Sequence, residues 1–436
     1  MIRNLAKHYL RTGRMFLKYL KESEERQKYT LNELRAYQNE KLKYIIKIAY
    51  ENVPYYRHVL NERGLNPHDI RKVEDLHRIP LINKRIVQDN FNRFKNKNYK
   101  GLVFKGYTSG TTGAPGTFLR DLKSINFENA TIWRQYRWAN KDFKSKRVTL
   151  RGELILPSNK KNNFWKYDPF GKELLISSYH LSDDNMINYV EKIKHFNPFD
   201  LYAYPSTAYL LASFCKKNNI SLKFSRVFTS SEVLLDYQKE EIEEVFNSRI
   251  FDWYGNAERN AAIGHCKYGQ YHEMTDYSIM EYIPQGNNKY EIVGTTLNNT
   301  VMPLIRYSTG DIVELEDNDC SCGLRFRKIK NIIGRNDDIV VLKDGRRLGR
   351  LDHIFKGMNF IKEAQILQLE LDFLKIRIVP SYSPSDEYKE ILIKNLCKYI
   401  GSEGIRYSID WVEKIDRGRN GKFKLVKNLV GKEQKE

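Results

Sequence analysis

The chain has no long hydrophobic run and no secretion signal. No stretch of its 436 residues approaches eighteen uninterrupted apolar positions, the least that a membrane-spanning helix needs. The N-terminal sequence MIRNLAKHYLRTGRMFLKYLKE spaces its charges among the apolar residues, whereas a signal peptide gathers them ahead of a hydrophobic segment. These absences argue against export and membrane spanning, and we expect a cytoplasmic protein.

Cysteine is scarce, and the five cysteines are an odd number that cannot all pair within one chain. Without a signal peptide, this count points to a reducing compartment. The sequence also has no internal repeats or low-complexity linkers. Hydrophobic residues still make up 41% and aromatic residues 13% of the chain, which excludes a disordered protein.

Positive charge is in surplus, with 74 Lys and Arg against 54 Asp and Glu and a net charge of +20. Such a surplus suits a polyanion, an anionic membrane or an acidic substrate. No basic block stands alone, which favours charges spread over solvated faces, and no nucleic-acid-binding motif is present. At the N-terminus, Ile2, Leu5, Tyr9, Phe16 and Leu20 follow one helical face among basic residues. Two interpretations stay open, a helix packed on the main domain and peripheral contact with the inner face of a membrane.

The length and a change of pattern predict two domains. A chain of 436 residues is long for a single core. Past residue 334 the pattern changes to strands at 363–379, a helix at 385–400 and a strand at 406–413. We predict a large α/β domain with mixed or parallel sheets and an N-terminal helical segment over residues 1–333, and a small mobile α+β domain over residues 334–436.

Strands alternate with helices between residues 199 and 258. The segments FDLYAY, SRVFTSS and SRIFDWYG are typical of strands, and helical patterns separate them. Such alternation predicts a parallel sheet, in which ligands lie beyond the carboxyl ends of the strands. These ends deliver hydroxyls and two carboxylates to one edge, and their residues are Tyr204, Pro205, Ser206, Ser230, Ser231, Glu232, Tyr254, Gly255, Asn256 and Glu258.

A loop rich in glycine and hydroxyl groups, GYTSGTTGAPGTF, occupies residues 106–118. Glycine lets backbone N–H groups approach a phosphate chain closely, so the loop suits an anion. It is not a Walker loop, because no Gly-Lys-Ser/Thr ends it. By itself it is equally compatible with a simple connection between strands.

Six motifs follow each other along the chain: this loop, SSE, YGNAE, RYSTGD, GRNDD and NGK. In this order they resemble the adenylate-forming (AMP-binding) superfamily of acyl-CoA ligases and peptide synthetase adenylation domains. Within it, ENVPYYRHVL, YPS and YGNAERNAAIGHCKYGQYH resemble the phenylacetate-CoA ligase and CapK-type capsular polysaccharide biosynthesis branch. The resemblance spans roughly residues 40–430 and implies an acyl-adenylate synthetase-like fold.

The resemblance implies a nucleotide site. In it the phosphates of ATP bind to the residues of the loop, which are Thr108, Ser109, Gly110, Thr111, Thr112 and Gly113. Ser231 and Glu232 would lie beside the adenine, with Tyr254 stacking near it. Asp311 would accept the ribose hydroxyls, and Arg335 would lie at the ribose or phosphate edge.

The same resemblance implies the catalytic groups. Glu258 would hold Mg²⁺, Lys422 would be the mobile catalytic lysine, and Asp337 would be the hinge of the small domain. Adenylation brings a carboxylate to a phosphate, so a metal and a lysine suit its growing charge. Other interpretations remain: Glu258 as a surface acid, Asp311 as a turn cap, and Lys424 in place of Lys422.

Two features depart from the family pattern. The family loop often carries a lysine where this chain has Gly116. Binding of the ATP phosphates must therefore depend more on backbone amides, the metal and distant basic residues. The segment from Asp337 to Gly345 is one residue longer than usual, which affects the hinge.

A cysteine and histidine set suggests a structural metal. Cys266 and His272 lie about fifty residues before Cys320 and Cys322, and together they form a Cys₃His set of the kind that structural Zn²⁺ favours. The alternative is three reduced cysteines and a core histidine, and His265 is a possible substitute ligand. The other two cysteines, Cys215 and Cys397, fall on apolar helical faces.

These inferences predict an enzyme that converts ATP and a carboxylic acid to acyl-AMP and pyrophosphate and then transfers the acyl group. The acceptor is either the thiol of coenzyme A or an amine or hydroxyl of a capsule or polysaccharide precursor. Two alternatives stay open: an adenylyltransferase that leaves AMP on a hydroxyl, and a non-catalytic basic protein that binds polyanions or membranes. We expect an aromatic acyl pocket from residues 202–212 and 228–258, with Tyr204, Tyr209, Phe228 and Trp253.

Overall fold

A mixed sheet of twelve strands forms the centre of the large domain. The structure is a computed structural model that describes residues 13–107, 116–151, 155, 164–178, 180–181, 183–335, 340–343, 347–348, 351–355, 358, 360–380, 383, 386–400, 405–418 and 422–430. The strands of the large domain are β1 (Val103–Tyr107), β2 (Thr117–Asp121), β3 (Arg147–Leu150), β4 (Trp165–Asp168), β5 (Glu173–Ile176), β6 (Asp200–Ala203), β7 (Arg226–Ser230), β8 (Ile250–Gly255), β9 (Ala262–His265), β10 (Tyr271–Glu273), β11 (Ser278–Pro284), β12 (Lys289–Thr296), β13 (Tyr307–Leu315) and β14 (Lys328–Arg335). In the described residues the sheet order is β11-β12-β13-β14-β10-β9-β8-β7-β6-β3-β5-β4, and β1 and β2 form a separate hairpin.

Helices cover this sheet and precede it in the chain. They are α1 (Arg14–Arg26), α2 (Leu31–Asn52), α3 (Pro54–Glu62), α4 (Lys84–Asp89), α5 (Leu122–Trp138), α6 (Asp183–Phe196), α7 (Pro205–Lys217) and α8 (Asp236–Phe246), with short 3₁₀ turns at Pro67–Asp69 and Val73–Arg78. The Thr30 hydroxyl accepts the Glu33 N–H and the Glu33 carboxylate accepts the Thr30 N–H, so a capping box starts α2. Pro54 begins α3, where its missing N–H costs nothing.

The parallel half of the sheet contains the alternation that the sequence predicts. Strands β6, β7 and β8 pair in parallel, with Leu201 opposite Val227 and Phe228 opposite Phe251. Helices α7 and α8 connect them, and Ile242 and Phe246 of α8 are fully buried in the core on this face. The carboxyl ends of the three strands therefore meet at one edge.

The N-terminal helix α1 packs on the large domain. Phe16 and Leu20 are buried in one cluster with Ala130 of α5, and Arg26 donates to Asp276 at 3.0 Å. Packing on the main domain is thus confirmed for this part of the helix, whereas Ile2, Leu5 and Tyr9 lie outside the described residues. Among the described helices, none is both long and apolar enough to cross a bilayer.

The small C-terminal domain has a sheet of its own. Its elements are β15 (Val340–Val341), β16 (Arg347–Leu348), a 3₁₀ turn (Leu351–Phe355), β17 (Ile361–Glu370), β18 (Phe373–Pro380), α9 (Asp386–Ile400), β19 (Arg406–Trp411) and β20 (Val426–Asn428). In the described residues the order is β19-β18-β17-β20, and Leu392 and Leu396 of α9 join its core. Strand β14 of the large sheet runs to Arg335, and the boundary between residues 333 and 334 stays a prediction.

Candidate active site

A cavity of about 620 Å³ lies at the edge where the strands of the parallel half end. It extends to β13, to β14 and to the tail of the small domain. Its lining includes the predicted residues Ser231, Glu232, Tyr254, Glu258, Asp311 and Lys422. The structure thus brings together groups that lie up to about two hundred positions apart in the sequence.

Ser231 forms the sharp turn after β7. Its φ is 74°, in the left-handed region that non-glycine residues rarely adopt. Such conformations persist where the surrounding structure enforces them, and they are common at functional sites. The turn places Ser231 in the lining of two cavities, the one above and a smaller neighbour.

Asp311 and Tyr254 form a pair on one wall. The Tyr254 hydroxyl donates to Asp311 Oδ2 at 2.6 Å, and the Asp311 N–H donates to Thr309 Oγ1 at 3.0 Å. These bonds fix the carboxylate on the strand edge, where it can accept from a pair of adjacent hydroxyls. Arg335 stands opposite Asp311 in the β13–β14 ladder, which places its backbone beside the same wall.

Glu258 also lines the cavity, where one contact holds its carboxylate and another holds the turn before it. Tyr307 donates its hydroxyl to Glu258 Oε1 at 2.9 Å. The Arg120 guanidinium donates to the carbonyl of Ala257, which fixes the turn just before Glu258. Glu258 is 7% exposed, so it is not a surface acid. A buried carboxylate oxygen facing a cavity suits Mg²⁺, a hard cation that prefers oxygen ligands.

The small domain reaches the cavity through Lys422. Lys422 lines it, with Nζ 6.0 Å from the centre of the Tyr204 ring. The next N–H, of Phe423, donates to Glu232 Oε1 at 2.7 Å, and Ser206 N–H donates to Glu232 Oε2 at 3.1 Å. Burial raises the pKa of Glu232, and these N–H groups act in the opposite direction. Glu232 therefore joins the two domains as well as lining the nucleotide-sized cavity.

Several predicted residues lie outside the described residues. These are Asp337 and the phosphate-loop set Thr108, Ser109, Gly110, Thr111, Thr112 and Gly113. Their roles stay predictions, as does that of the Arg335 side chain. The described flanks of the loop pair as strands, with Tyr107 opposite Thr117, so the loop connects a β-hairpin.

The predicted metal ligands form a cluster that includes His272 of β10 and Cys266, which directly follows β9. The ligand atoms of Cys266, His272, Cys320 and Cys322 all lie within 4.8 Å of one another. Cys266 Sγ is 3.9 Å from Cys320 Sγ, and Cys322 Sγ is 3.4 Å from His272 Nε2. A tetrahedral Zn²⁺ with bonds of about 2.3 Å separates its sulfur ligands by about 3.8 Å, so this spacing fits that ion.

Surrounding groups orient the cluster. His272 Nδ1 lies 3.0 Å from the Phe326 carbonyl, which leaves Nε2 directed at the cluster. Burial lowers the pKa of His272 and so favours the neutral imidazole that a metal needs. The N–H groups of Tyr268 and Leu324 point at Cys266 Sγ and Cys322 Sγ, each at 3.4 Å. The suggested substitute, His265, is a buried residue whose ring contacts Tyr271, and it is not part of the cluster.

Comparison of this sequence with known proteins identifies several relatives. Residues 341–429 match the family described as the CapK C-terminal domain. Protein CapK of Staphylococcus aureus is 27% identical over 413 residues, which cover 92% of this chain and 90% of that protein. Phenylacetate-coenzyme A ligase of Thermus thermophilus is 27% identical over 338 residues, which cover 71% of this chain and 72% of that enzyme.

A solved structure shares the fold across both domains. The 2-hydroxyisobutyryl-CoA ligase in its postadenylation state gives a TM-score of 0.73 at 17% identity, with 93% of this chain and 91% of that chain covered. Over most of its length the chain is thus similar to the phenylacetate-CoA ligase and CapK branch of the adenylate-forming superfamily. The protein is thus an adenylate-forming ligase, and the fold class expected from the motifs is confirmed.

The similarity to this neighbour depends on the state in which its structure was solved. The same 2-hydroxyisobutyryl-CoA ligase in the thioesterification state gives a TM-score of only 0.56. The present structure therefore superposes better on the postadenylation structure than on the thioesterification structure.

The sequence left some residues of the ligase's site unnoticed. Asp252 lies fully buried in the apolar strand β8, and burial raises its pKa to about 6. It accepts hydroxyl bonds from Thr229 at 2.6 Å and Tyr271 at 2.7 Å while lining the large cavity. The acid inside the apolar run RIFDWYG was the sequence signal that could have identified Asp252.

Tyr209, which we expected in the wall of the acyl pocket, packs edge-on against Tyr237, with ring centres 5.1 Å apart.

Proposed function

We propose that this ligase activates a carboxylic acid as acyl-AMP with ATP and Mg²⁺ and then transfers the acyl group to a thiol, amine or hydroxyl. The observation that supports this most is the shared cavity of Glu258, Asp311 and Lys422. Its volume of about 620 Å³ lies in the range of small-molecule sites. The three residues have the chemistry that an adenylate requires: a metal ligand, a ribose acceptor and a cation.

In the first step a carboxylate oxygen attacks the α-phosphorus, the P–O bond to the β-phosphate breaks, and pyrophosphate leaves. Negative charge grows on the α-phosphate oxygens, and Lys422 donates hydrogen bonds to them. Glu258 would hold Mg²⁺, which would supply neutralisation of the phosphate charge. Asp311 holds the ribose by its hydroxyls, with Tyr254 keeping the carboxylate in position.

In the second step the acceptor attacks the acyl carbon, and AMP leaves with the bonding electron pair. Incubating the enzyme with ATP, an acid that it activates, and either coenzyme A or a glycan precursor, followed by mass analysis, tests this step. We expect a product heavier by the acyl group and free AMP. A product carrying AMP on a hydroxyl would instead make the protein an adenylyltransferase.

We also propose that the ligase carries a structural Zn²⁺ on Cys266, His272, Cys320 and Cys322. The spacing and orientation of the four ligand atoms support this. The ion would connect the turn after β9 to the segment before β14 without taking part in the reaction. Metal analysis of gently purified protein should give about one equivalent of zinc, and Cys322→Ser should lose it and lower the melting temperature. Less than a tenth of an equivalent in the unaltered protein would contradict the proposal.

A further inference from the structure

A second, smaller cavity adjoins the nucleotide-sized one. Its volume is about 190 Å³, and the two cavities share Ser231, Trp253 and Gly255. It is thus placed to receive the part of the substrate that extends from the reacting carboxyl group. At about 30 Å³ for each water-sized group, it has room for roughly six heavy atoms, which excludes a long acyl chain.

The walls of this cavity are aromatic, as expected, but polar atoms face it as well. Tyr202, Phe228 and Phe251 stack along one wall, with ring centres of the first two 4.9 Å apart. Arg151 closes the cavity, and it donates to Ser230 Oγ at 2.5 Å. Within the described part of the chain, this is the one side-chain hydrogen bond that Arg151 makes.

Two buried polar atoms of lining residues make no hydrogen bond of good geometry with the described residues. One is the hydroxyl of Tyr202, a residue only 4% exposed, whose nearest polar neighbour is the Tyr136 phenol. Burial and this phenol raise the pKa of Tyr202, so the hydroxyl keeps its proton. The other is Oε1 of Gln135, whose Nε2 already donates to the Asp252 carbonyl at 2.6 Å.

The charges around the cavity favour an electron-rich ligand. Glu128 lines it, but this carboxylate is paired with Arg259 at 2.6 Å. The remaining guanidinium of the lining, Arg151, offers a planar set of donors that suits a carboxylate or hydroxyl oxygen. A hydrocarbon group in this place would cover Arg151, Tyr202 and Gln135 while satisfying none of them, which is costly.

We propose that the acid activated by this enzyme is a short hydroxy acid or dicarboxylic acid, whose second oxygen group binds Arg151 and the Tyr202 hydroxyl. A hydroxyl could also donate to Gln135 Oε1. The inference rests on the proposed adenylation, and it names the substrate class that the motifs leave open. It predicts that hydrocarbon acids such as phenylacetate bind poorly.

Stable acyl-adenylate mimics test the pocket without catalysis. Acyl-sulfamoyl adenosines carrying butanoyl, 3-hydroxybutanoyl, succinyl and phenylacetyl groups differ only in the part that enters the small cavity. We expect the 3-hydroxybutanoyl or succinyl compound to bind roughly tenfold to hundredfold more tightly than the butanoyl compound by calorimetry. Equal or tighter binding of the butanoyl or phenylacetyl compound would overturn the inference and leave the proposed adenylation intact.

Substitutions in the small cavity test which residues cause the preference for oxygen-bearing compounds. Tyr202→Phe and Arg151→Gln should reduce the preference for the oxygen-bearing compound while changing butanoyl binding little. Tyr189→Phe is a matched control, because this buried hydroxyl donates to the Ser177 carbonyl outside the cavity lining. An unchanged preference in both pocket variants would contradict the assignment. If no compound binds and no acid supports pyrophosphate exchange, the proposed function itself fails.

Discussion

At the scale of single residues, the position of Lys422 favours it over Lys424 as the proposed catalytic lysine. Lys422 lines the nucleotide-sized cavity, whereas the Lys424 carbonyl accepts from Gln365 Nε2 at 2.9 Å in the small domain. We predict that Lys422→Ala lowers the rate of adenylation by roughly 10²–10³-fold, the usual effect of removing a donor from developing charge. Initial rates of pyrophosphate exchange into ATP measure this.

The matched control is Lys424→Ala, which removes the same charge two positions away. It should retain most of the exchange rate, and both variants should melt near the temperature of the unaltered protein. If Lys424→Ala is the inactive variant and Lys422→Ala is not, the assignment of the catalytic lysine is wrong.

The residues that line the cavity were predictable from the sequence where they belong to a motif. Glu258, Asp311 and Lys422 stand in short ordered motifs, and the structure brings all three to one cavity. The residues that hold these groups in place were not predictable, because they are distant in the sequence. Tyr307 contacts the Glu258 carboxylate, and Arg120 contacts the carbonyl of Ala257 in the turn before it. Nothing in a local pattern shows such pairings, and the same holds for Arg151 and Tyr202 in the small cavity.

At the scale of elements, helix α1 is fastened by a buried charge cluster. Asp276 accepts from Arg26 at 3.0 Å and from Arg134 at 2.8 Å, and all three side chains are buried. Burial alone raises the pKa of Asp276, but the two guanidinium groups outweigh it and hold the pKa below the ordinary value of 3.8. Asp276→Asn leaves two buried cations without their carboxylate, so we predict a loss of roughly 3–5 kcal/mol in the free energy of unfolding.

This loss should depend on pH in a defined direction. A carboxylate whose pKa is lowered by folding stabilises the protein above its unfolded pKa, and the stabilisation is lost as the pH falls through the folded pKa. The difference between the unaltered protein and Asp276→Asn in urea unfolding should therefore be constant near neutral pH and shrink below pH 3.8. A difference that stays constant, or grows, as the pH falls below 3.8 would contradict the charge-based explanation.

At the scale of the whole molecule, one carboxylate spans the two domains. Glu232 of the large domain accepts from the Phe423 N–H of the small domain at 2.7 Å. Gln at this position has one acceptor oxygen for two N–H groups, so we predict that Glu232→Gln weakens the closed arrangement. Trypsin should then cleave the tail at Lys422 and Lys424 roughly tenfold faster, since hydrogen bonds to charged groups contribute about 1.5–3 kcal/mol.

The control for this variant is Glu241→Gln, which removes a carboxylate that contacts Ser213 within the large domain. Its tail should be cleaved at the rate of the unaltered protein, and global unfolding should differ little among the three proteins. Equal cleavage of the tail in all of them would show that Glu232 does not hold the domains together.

The fold followed from the sequence where periodicity was strong. The alternation over residues 199–258 and the change of pattern after residue 334 predicted a parallel half-sheet and a small second sheet, both present. The joining of the parallel half to β9–β14 in one sheet was not predictable, because antiparallel pairing such as β8 with β9 depends on contacts across turns. The arrangement of the two domains likewise depends on the Glu232–Phe423 contact, which no local pattern contains.

The most direct test of the central claim is acid-dependent exchange of labelled pyrophosphate into ATP by the purified protein. A panel of hydroxy, dicarboxylic, aryl, fatty and amino acids should be measured with Mg²⁺, alongside Glu258→Gln. The proposed function predicts exchange with at least one acid, strongly reduced in Glu258→Gln. No exchange with any acid, together with no detectable binding of ATP, would contradict it.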